Sequence, residues 1–149
     1  MMLMLGTLGS FTPKEPDTST NVKELTGYRL KNKVTVLNDF NLWVITNDIT
    51  FDKVFVAETE TVARPTFDNE IVLAAKAETL ANSYQIRFKR TEIRKSDLNV
   101  YFGVQKSGPA QDGAGPVSLM AVQRNSKIKR VNFYHDNILV RSIPIVTVY

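Results

Sequence analysis

The stretch YQIRFK, residues 84–89, alternates strictly: Tyr84, Ile86 and Phe88 fall on one side, Gln85, Arg87 and Lys89 on the other. LNVYFGV, residues 98–104, repeats the pattern through Leu98, Val100, Phe102 and Val104. A period of two predicts antiparallel strands buried on one face. IVLAAKA, residues 71–77, is apolar at nearly every position and predicts a strand covered on both faces. Short β-branched or aromatic runs predict further strands at residues 34–37, 42–45, 117–122, 128–134, 138–140 and 143–148. Residues 124–127 (RNSK) read as a turn, and Asn38-Asp39 as a polar break. Asp136-Asn137 predicts a tight hairpin, because both residue types tolerate positive φ. Pro144 suits an edge or an irregularity of the last strand, and Trp43, between Leu42 and Val44, reads as core.

One segment, near residues 47–56, has a helical period instead. Thr46 or Asn47 can cap it, and Asp48 suits the positive end of the helix dipole. Phe51, Val54 and Phe55 then form one apolar stripe, expected to close an end of the β core. Eight or so short strands with turns between them predict a mainly β, antiparallel, barrel-like domain. With one short helix as plug, the expected architecture is oligonucleotide/oligosaccharide-binding-like. An immunoglobulin sandwich would show a paired cysteine, and cysteine is absent.

Composition narrows the picture. The 149 residues hold 43% hydrophobic and 23% charged side chains, which suits one domain with a sizeable core. Without cysteine there are no disulfides, thiolate nucleophiles or cysteine-held metals. The net charge of +4 is a mild excess, compatible with an anionic partner but not demanding one. Residues 22–149 read as a single β-rich domain. Ahead of it, MMLMLGTLGSF (residues 1–11) lacks charge and ends in small residues, like a secretory signal without its basic head. The other reading is an apolar tail. Residues 12–21, with Pro13 and Pro16, read as a flexible linker. The signal-like start predicts a protein outside the cytoplasm, periplasmic or secreted. The run is too short to span a bilayer, which takes about 20 residues.

No residue pattern calls for catalysis, a metal or a cofactor. His135 is the single histidine; it reads as an exposed turn residue, since neighbours on a strand point apart and Asp136 could not orient it. Asp68 and Glu70 read as capping or turn residues. Gly113 and Gly115 lack the lysine and helix of a phosphate loop. Arg87, Lys89, Arg90, Arg94 and Lys95 form the strongest basic cluster, and Lys127, Lys129 and Arg130 a second. Single-stranded nucleic-acid binding would place Arg87, Lys89 and Arg90 on one strand face, but it also needs exposed aromatics beside the charge. Tyr84 and Phe88 fall on the opposite face, which favours a solvated surface.

QKSGPAQDGAGP, residues 105–116, holds three of the seven glycines and two of the six prolines. Such a composition predicts a surface loop between two strands, longer than the two to five residues usual in hairpins. It reads either as a disordered excursion or as a partner-contacting loop. In the second case Ser107, Gly108, Pro109, Ala110, Gln111, Asp112 and Gly113 are the candidate contacts. Loop length changes closure entropy only slowly, so a two-residue turn in place of residues 109–115 should preserve the fold.

The run ITNDITFDKVF, then FDNEIVLAA, SYQIRF, LNVYFGV, GPVSLMAV and VNFY follows a recognisable order of segments. It resembles the C-terminal domain of bacterial protease-complex-stabilising proteins and, more loosely, the potempin family of protease inhibitors. The resemblance implies a barrel-like domain outside the cytoplasm that binds a protein partner, with a secreted protease as one class. It assigns no inhibitory residue, and the lipidated cysteine that opens such lipoproteins is missing. The expected function is thus non-enzymatic protein binding. A nucleic-acid-binding barrel and a structural subunit of a surface complex stand as alternatives.

Overall fold

A computed structural model describes residues 22–36 and 39–146. The signal-like start, the linker, Leu37, Asn38 and the end of the last expected strand lie outside the described residues. In chain order the elements are β1 (Val22–Leu25), β2 (Tyr28–Leu30), β3 (Phe40–Ile45), α1 (Asp48–Val54), β4 (Phe55–Ala57), β5 (Glu70–Glu78), β6 (Asn82–Arg94), β7 (Asp97–Pro109), β8 (Ser118–Gln123), β9 (Arg130–His135) and β10 (Ile138–Pro144).

The run with two apolar faces becomes β5, buried from Ile71 through Glu78. β8 pairs along one edge of it and β3 along the other, so that Val72 lies opposite both Ala121 and Ile45. β1 extends this half beyond β8. β5 meets β6 at only two pairs, Ala77 with Tyr84 and Glu78 with Ser83; β6 then turns away to pair with β7 along nearly its whole length. β9 and β10 follow β7. The sheet therefore folds over on itself. Ile71, Leu73 and Ala75 of one half pack with Ile86, Leu98, Val100, Phe102 and Phe133 of the other.

The second face of β5 and β8, through Val72, Ala74, Leu119 and Ala121, is covered by Tyr28, Phe51, Phe55 and Phe67. Seven residues are too few for a helix to stand alone in water. α1 persists because Asn47 caps it, its Oδ1 accepting from the Thr50 amide at 2.8 Å, and because Phe51 is fully buried. Phe51 meets the rings of Tyr28, Phe55 and Phe67 at 5.2, 5.4 and 5.7 Å. Truncating it to alanine would remove about 3–5 kcal/mol, the usual loss for a buried phenylalanine.

Several expectations hold. Asp136 and Asn137 take φ of 50° and 71°, and β9 and β10 pair across them. Pro144 lies in β10, at an end of the sheet path. Trp43, expected in the core, is half-buried and packs against it, its ring centroid 5.8 Å from that of Phe55.

Others are corrected. The path of paired strands runs from β1 to β10 without closing, so no barrel forms among the described residues, and α1 covers a sheet face rather than a barrel end. The sheet is mixed, not antiparallel throughout: β7 and β9 run parallel, with Asp97 opposite Arg130. The cause is the route of the chain, which leaves β7, lays β8 beside β5 in the other half, and returns to add β9 in the direction of β7. Residues 34–36, expected in a strand, are not in one; the Val34 amide donates instead to the Gly113 carbonyl at 3.1 Å. Among the described residues no helix is long and apolar enough to cross a membrane.

Candidate functional site

The glycine- and proline-rich stretch is not a loop throughout. β7 continues through Ser107 and Gly108 to Pro109, with Gly108 opposite Ser83 and Pro109 opposite Asn82. Proline is tolerated here because β9, the other neighbour of β7, pairs only as far as Phe102. The Pro109 carbonyl is satisfied by the Ser83 hydroxyl at 2.9 Å. Only the residues between Pro109 and Ser118 form the connection itself.

That connection is held from beneath by a buried carboxylate. Glu78 accepts from the amides of Gln111 and Gly113 through Oε2, at 2.8 and 3.0 Å, and from the amide of Gly115 through Oε1 at 3.1 Å. Lys76 Nζ donates to Oε1 at 2.5 Å, and both side chains are 1% exposed. The inward amides are two residues apart, so Asp112 and Ala114 turn outward and are exposed while Gly113 and Gly115 are buried. Burial alone would raise the Glu78 carboxyl pKa. The Lys76 ammonium and the amides of Gly113, Gln111 and Gly115 outweigh it and bring the carboxyl down to about 2. A buried charge is tolerated only when paired and hydrogen-bonded, and Glu78 is both.

The glycines fit this geometry. Gly113 has φ of 86°, and a Cβ there would stand 2.0 Å from the Val34 carbonyl oxygen. A Cβ on Gly115 would stand 2.8 Å from Glu78 Oε1. The neighbouring β5–β6 turn is braced as well. The Thr79 amide donates to the Asn82 carbonyl at 2.8 Å, and the Thr79 hydroxyl accepts from the Asn82 amide at 3.0 Å. The Ala110 amide joins turn and loop by donating to the Ala81 carbonyl at 3.1 Å. Between loop and β2 lies a groove of about 480 Å³, lined in part by Arg29, Leu30, Lys33 and Pro116. A two-residue turn in place of residues 109–115 would strip Glu78 of its amide donors. The structure removes the basis for expecting a preserved fold.

Of the seven candidate contacts, Ser107, Pro109, Gln111 and Asp112 are exposed, Gly108 and Ala110 half-buried, and Gly113 buried. Asp112 carries an exposed ion pair with Lys33 at 2.7 Å. Sequence reasoning missed Lys76 and Glu78, which make the loop a fixed object. The signal was present as two opposite charges at i and i+2 in an otherwise apolar strand, hence on one face.

The basic residues Arg87, Lys89 and Arg90 lie exposed on the outer side of the β6–β7 pair. A bulge between Phe88 and Arg90 sets Arg90 opposite Tyr101. The Arg90 guanidinium lies 3.7 Å from the Tyr101 ring centroid, and Tyr101 stacks on Tyr134 at 4.8 Å. Aromatics therefore do share a face with the charge, contrary to expectation, but they are Tyr101 and Tyr134 rather than Tyr84 and Phe88. Both faces of Tyr101 are already covered by neighbours. Lys89 pairs with Asp136 at 3.7 Å, and Arg90 and Arg94 with Glu92 at 3.6 and 3.8 Å.

His135 is not an exposed turn residue. Its side chain is 34% exposed, stacks on Phe102 with centroids 5.5 Å apart, and meets Asp136 Oδ2 through Nε2 at 3.2 Å. Strand alternation fails at Asp136 because its positive φ belongs to the turn, which swings the carboxylate back. Glu70 caps a turn, as expected, accepting from the Thr66 amide at 2.9 Å. Comparison of the chain with protein-family models, curated proteins and solved structures finds no match, so the resemblance to extracytoplasmic protease-associated proteins stands on the quoted residues alone.

Proposed function

We propose that this chain is a non-enzymatic protein-binding domain that works outside the cytoplasm and presents residues 107–113 to its partner. The observation that carries the reading is the clamp of Glu78 on three loop amides. A loop fixed before binding loses little conformational entropy on binding, which favours affinity. The exposed side chains of Ser107, Gln111 and Asp112 then sit above a rigid base. Rigid presentation of this kind suits insertion into a cleft, and the resemblance points to secreted proteases as the first class to examine. The apolar residues 1–11 are read as the export segment. The outer basic face supports protein over single-stranded nucleic acid as the partner, because base stacking needs open ring faces.

The test is capture from culture supernatant with the full chain, identification of the bound protein, and direct titration with that protein once purified. Gln111→Ala with Asp112→Gly, glycine suiting the φ of 54° at Asp112, should leave stability within about 0.5 kcal/mol, as for most exposed sites. The same pair should weaken partner binding at least about tenfold. Unchanged affinity would remove the loop from the interface. Submicromolar binding of a single-stranded oligonucleotide, lost on changing Arg87 and Lys89 to glutamate, would replace the reading with the nucleic-acid one.

A further inference from the structure

The groove beside the clamped loop has an open strand edge as one wall. β2 pairs with β4 alone. The Lys31 amide donates to the Val54 carbonyl and the Glu58 amide to the Gly27 carbonyl, both at 2.8 Å. In an antiparallel pair, residues directly opposite alternate between bonded and non-bonded pairs. Tyr28 lies opposite Ala57 and Leu30 opposite Phe55. The bonds to β4 therefore fall to Gly27, Arg29 and Lys31, and the amides and carbonyls of Tyr28 and Leu30 turn outward. Those groups have no hydrogen-bond partner among the described residues. Tyr28 and Leu30 line the groove, and so does Gln111, a candidate loop contact. The charged lining residues are Arg29, Lys33 and Glu58. Asp112 engages Lys33, whereas Arg29 is exposed and pairs with no carboxylate among the described residues.

We propose that this edge takes up an extended segment of the protein partner as an added antiparallel strand, with an apolar–acidic–apolar pattern. The edge itself selects the occupant: main-chain donors and acceptors on alternate residues are matched by the backbone of another strand. The partner residues opposite Tyr28 and Leu30 exchange both bonds with them. Their side chains share the face of Tyr28 and Leu30, which turns toward the apolar core and the Pro116–Val117 wall. The residue opposite Arg29 falls in the non-bonded pair, where side chains come closest, so a carboxylate there meets the guanidinium. The Glu78 clamp fixes the loop wall beforehand, so little ordering opposes entry. The inference deepens the protein-binding reading and rests on it: one partner touches the loop and pairs with β2.

The test uses the full natural chain and a capped pentapeptide of threonine, valine, glutamate, valine and threonine, followed by amide NMR. Binding should saturate with a dissociation constant of about 1 mM, weak because the ladder is short. The Tyr28 and Leu30 amide protons should move downfield, while that of Arg29, already bonded to Val56, should barely move. N-methylation of both valines removes the donors to the Tyr28 and Leu30 carbonyls and should abolish binding. N-methylation of the glutamate, whose amide faces away, should leave the affinity within about twofold. Lysine in place of the glutamate should weaken binding at least about fivefold. Silence at Tyr28 and Leu30 up to about 10 mM peptide overturns the proposal, as does equal loss from the two N-methylation patterns or indifference to the lysine. Nuclear Overhauser contacts from the Tyr28 and Leu30 amides to residues 1–21 would give the edge to the chain itself and equally overturn it. A silent peptide combined with partner binding lost in Gln111→Ala with Asp112→Gly would keep the loop contact and sink the added strand alone.

Discussion

Two connections in this molecule share a kind of local turn and differ in what anchors it. Asp136 and Asn137 join β9 to β10 with φ of 50° and 71°, and the residue types alone account for the turn. The connection from β7 to β8 holds a turn of the same local kind at Asp112-Gly113, with φ of 54° and 86° and the Ala114 amide donating to the Gln111 carbonyl at 3.0 Å, but Glu78, more than thirty residues away, also gathers its amides at Gln111, Gly113 and Gly115. The first turn carries its instruction within itself. The second is also anchored by a buried charge, paired with Lys76, in a largely apolar strand. A local turn can be changed with local consequences; a loop held by a buried charge draws the core into any change.

The sharpest way to break the comparison is Glu78→Gln. The amide side chain keeps the size but removes the negative charge, leaving Lys76 buried beside no counter-ion. Losing one member of a buried pair is expected to destabilise by about 3–5 kcal/mol, read as a lower midpoint in urea with an unchanged slope. Lys76→Met should cost clearly less, since Glu78 keeps three amide donors. Equal losses would show that the lysine, not the amides, stabilises the carboxylate. Loop amide exchange separates the two further: it should speed up in Glu78→Gln, while the amides flanking Asn137 stay unchanged.

Acid acts on the same group. The Glu78 carboxyl is depressed in the folded state from 4.5 to about 2. Its contribution is therefore fully present above the unfolded value and is lost as pH falls from about 4.5 toward 2. A shift of that size corresponds to about 3 kcal/mol. Stability measured down this range should drop more steeply in the natural chain than in Glu78→Gln, which has no carboxyl to protonate there. Parallel curves for the two chains would show that Glu78 is not depressed, and that the clamp is weaker than its geometry.

These contrasts explain what could be read from the residues. β6 and β7 were legible because alternation is a local property, and α1 because Asn47, Asp48 and Phe51 declare its start and its buried face. Closure of the sheet was not legible. Whether β7 neighbours β8 or β9 depends on the route between the two halves, and no short pattern records it. The physics of residues 107–113 was not legible from their composition, since glycine and proline mark both slack loops and tightly held ones. Lys76 and Glu78 would have told the two apart. At His135 the rule of alternation was applied one residue too far, into a turn with positive φ.

The smallest effect belongs to the local turn. Asn137 is the better residue to change, because Asp136 also meets His135 and Lys89. At φ of 71° an alanine would bring its Cβ close to the following carbonyl, a penalty of about 1–2 kcal/mol. Glycine has no Cβ and suits the second position of this turn, so Asn137→Gly should stay within about 0.5 kcal/mol of the natural chain. Neither change should alter amide exchange at Gln111, Gly113 or Gly115, because nothing in the turn reaches the clamp. If Asn137→Ala costs as much as Glu78→Gln, or loosens the loop at a distance, the turn is not self-contained. The two connections would then share one cooperative unit, and the contrast between local and distant instruction would fail at its simpler end.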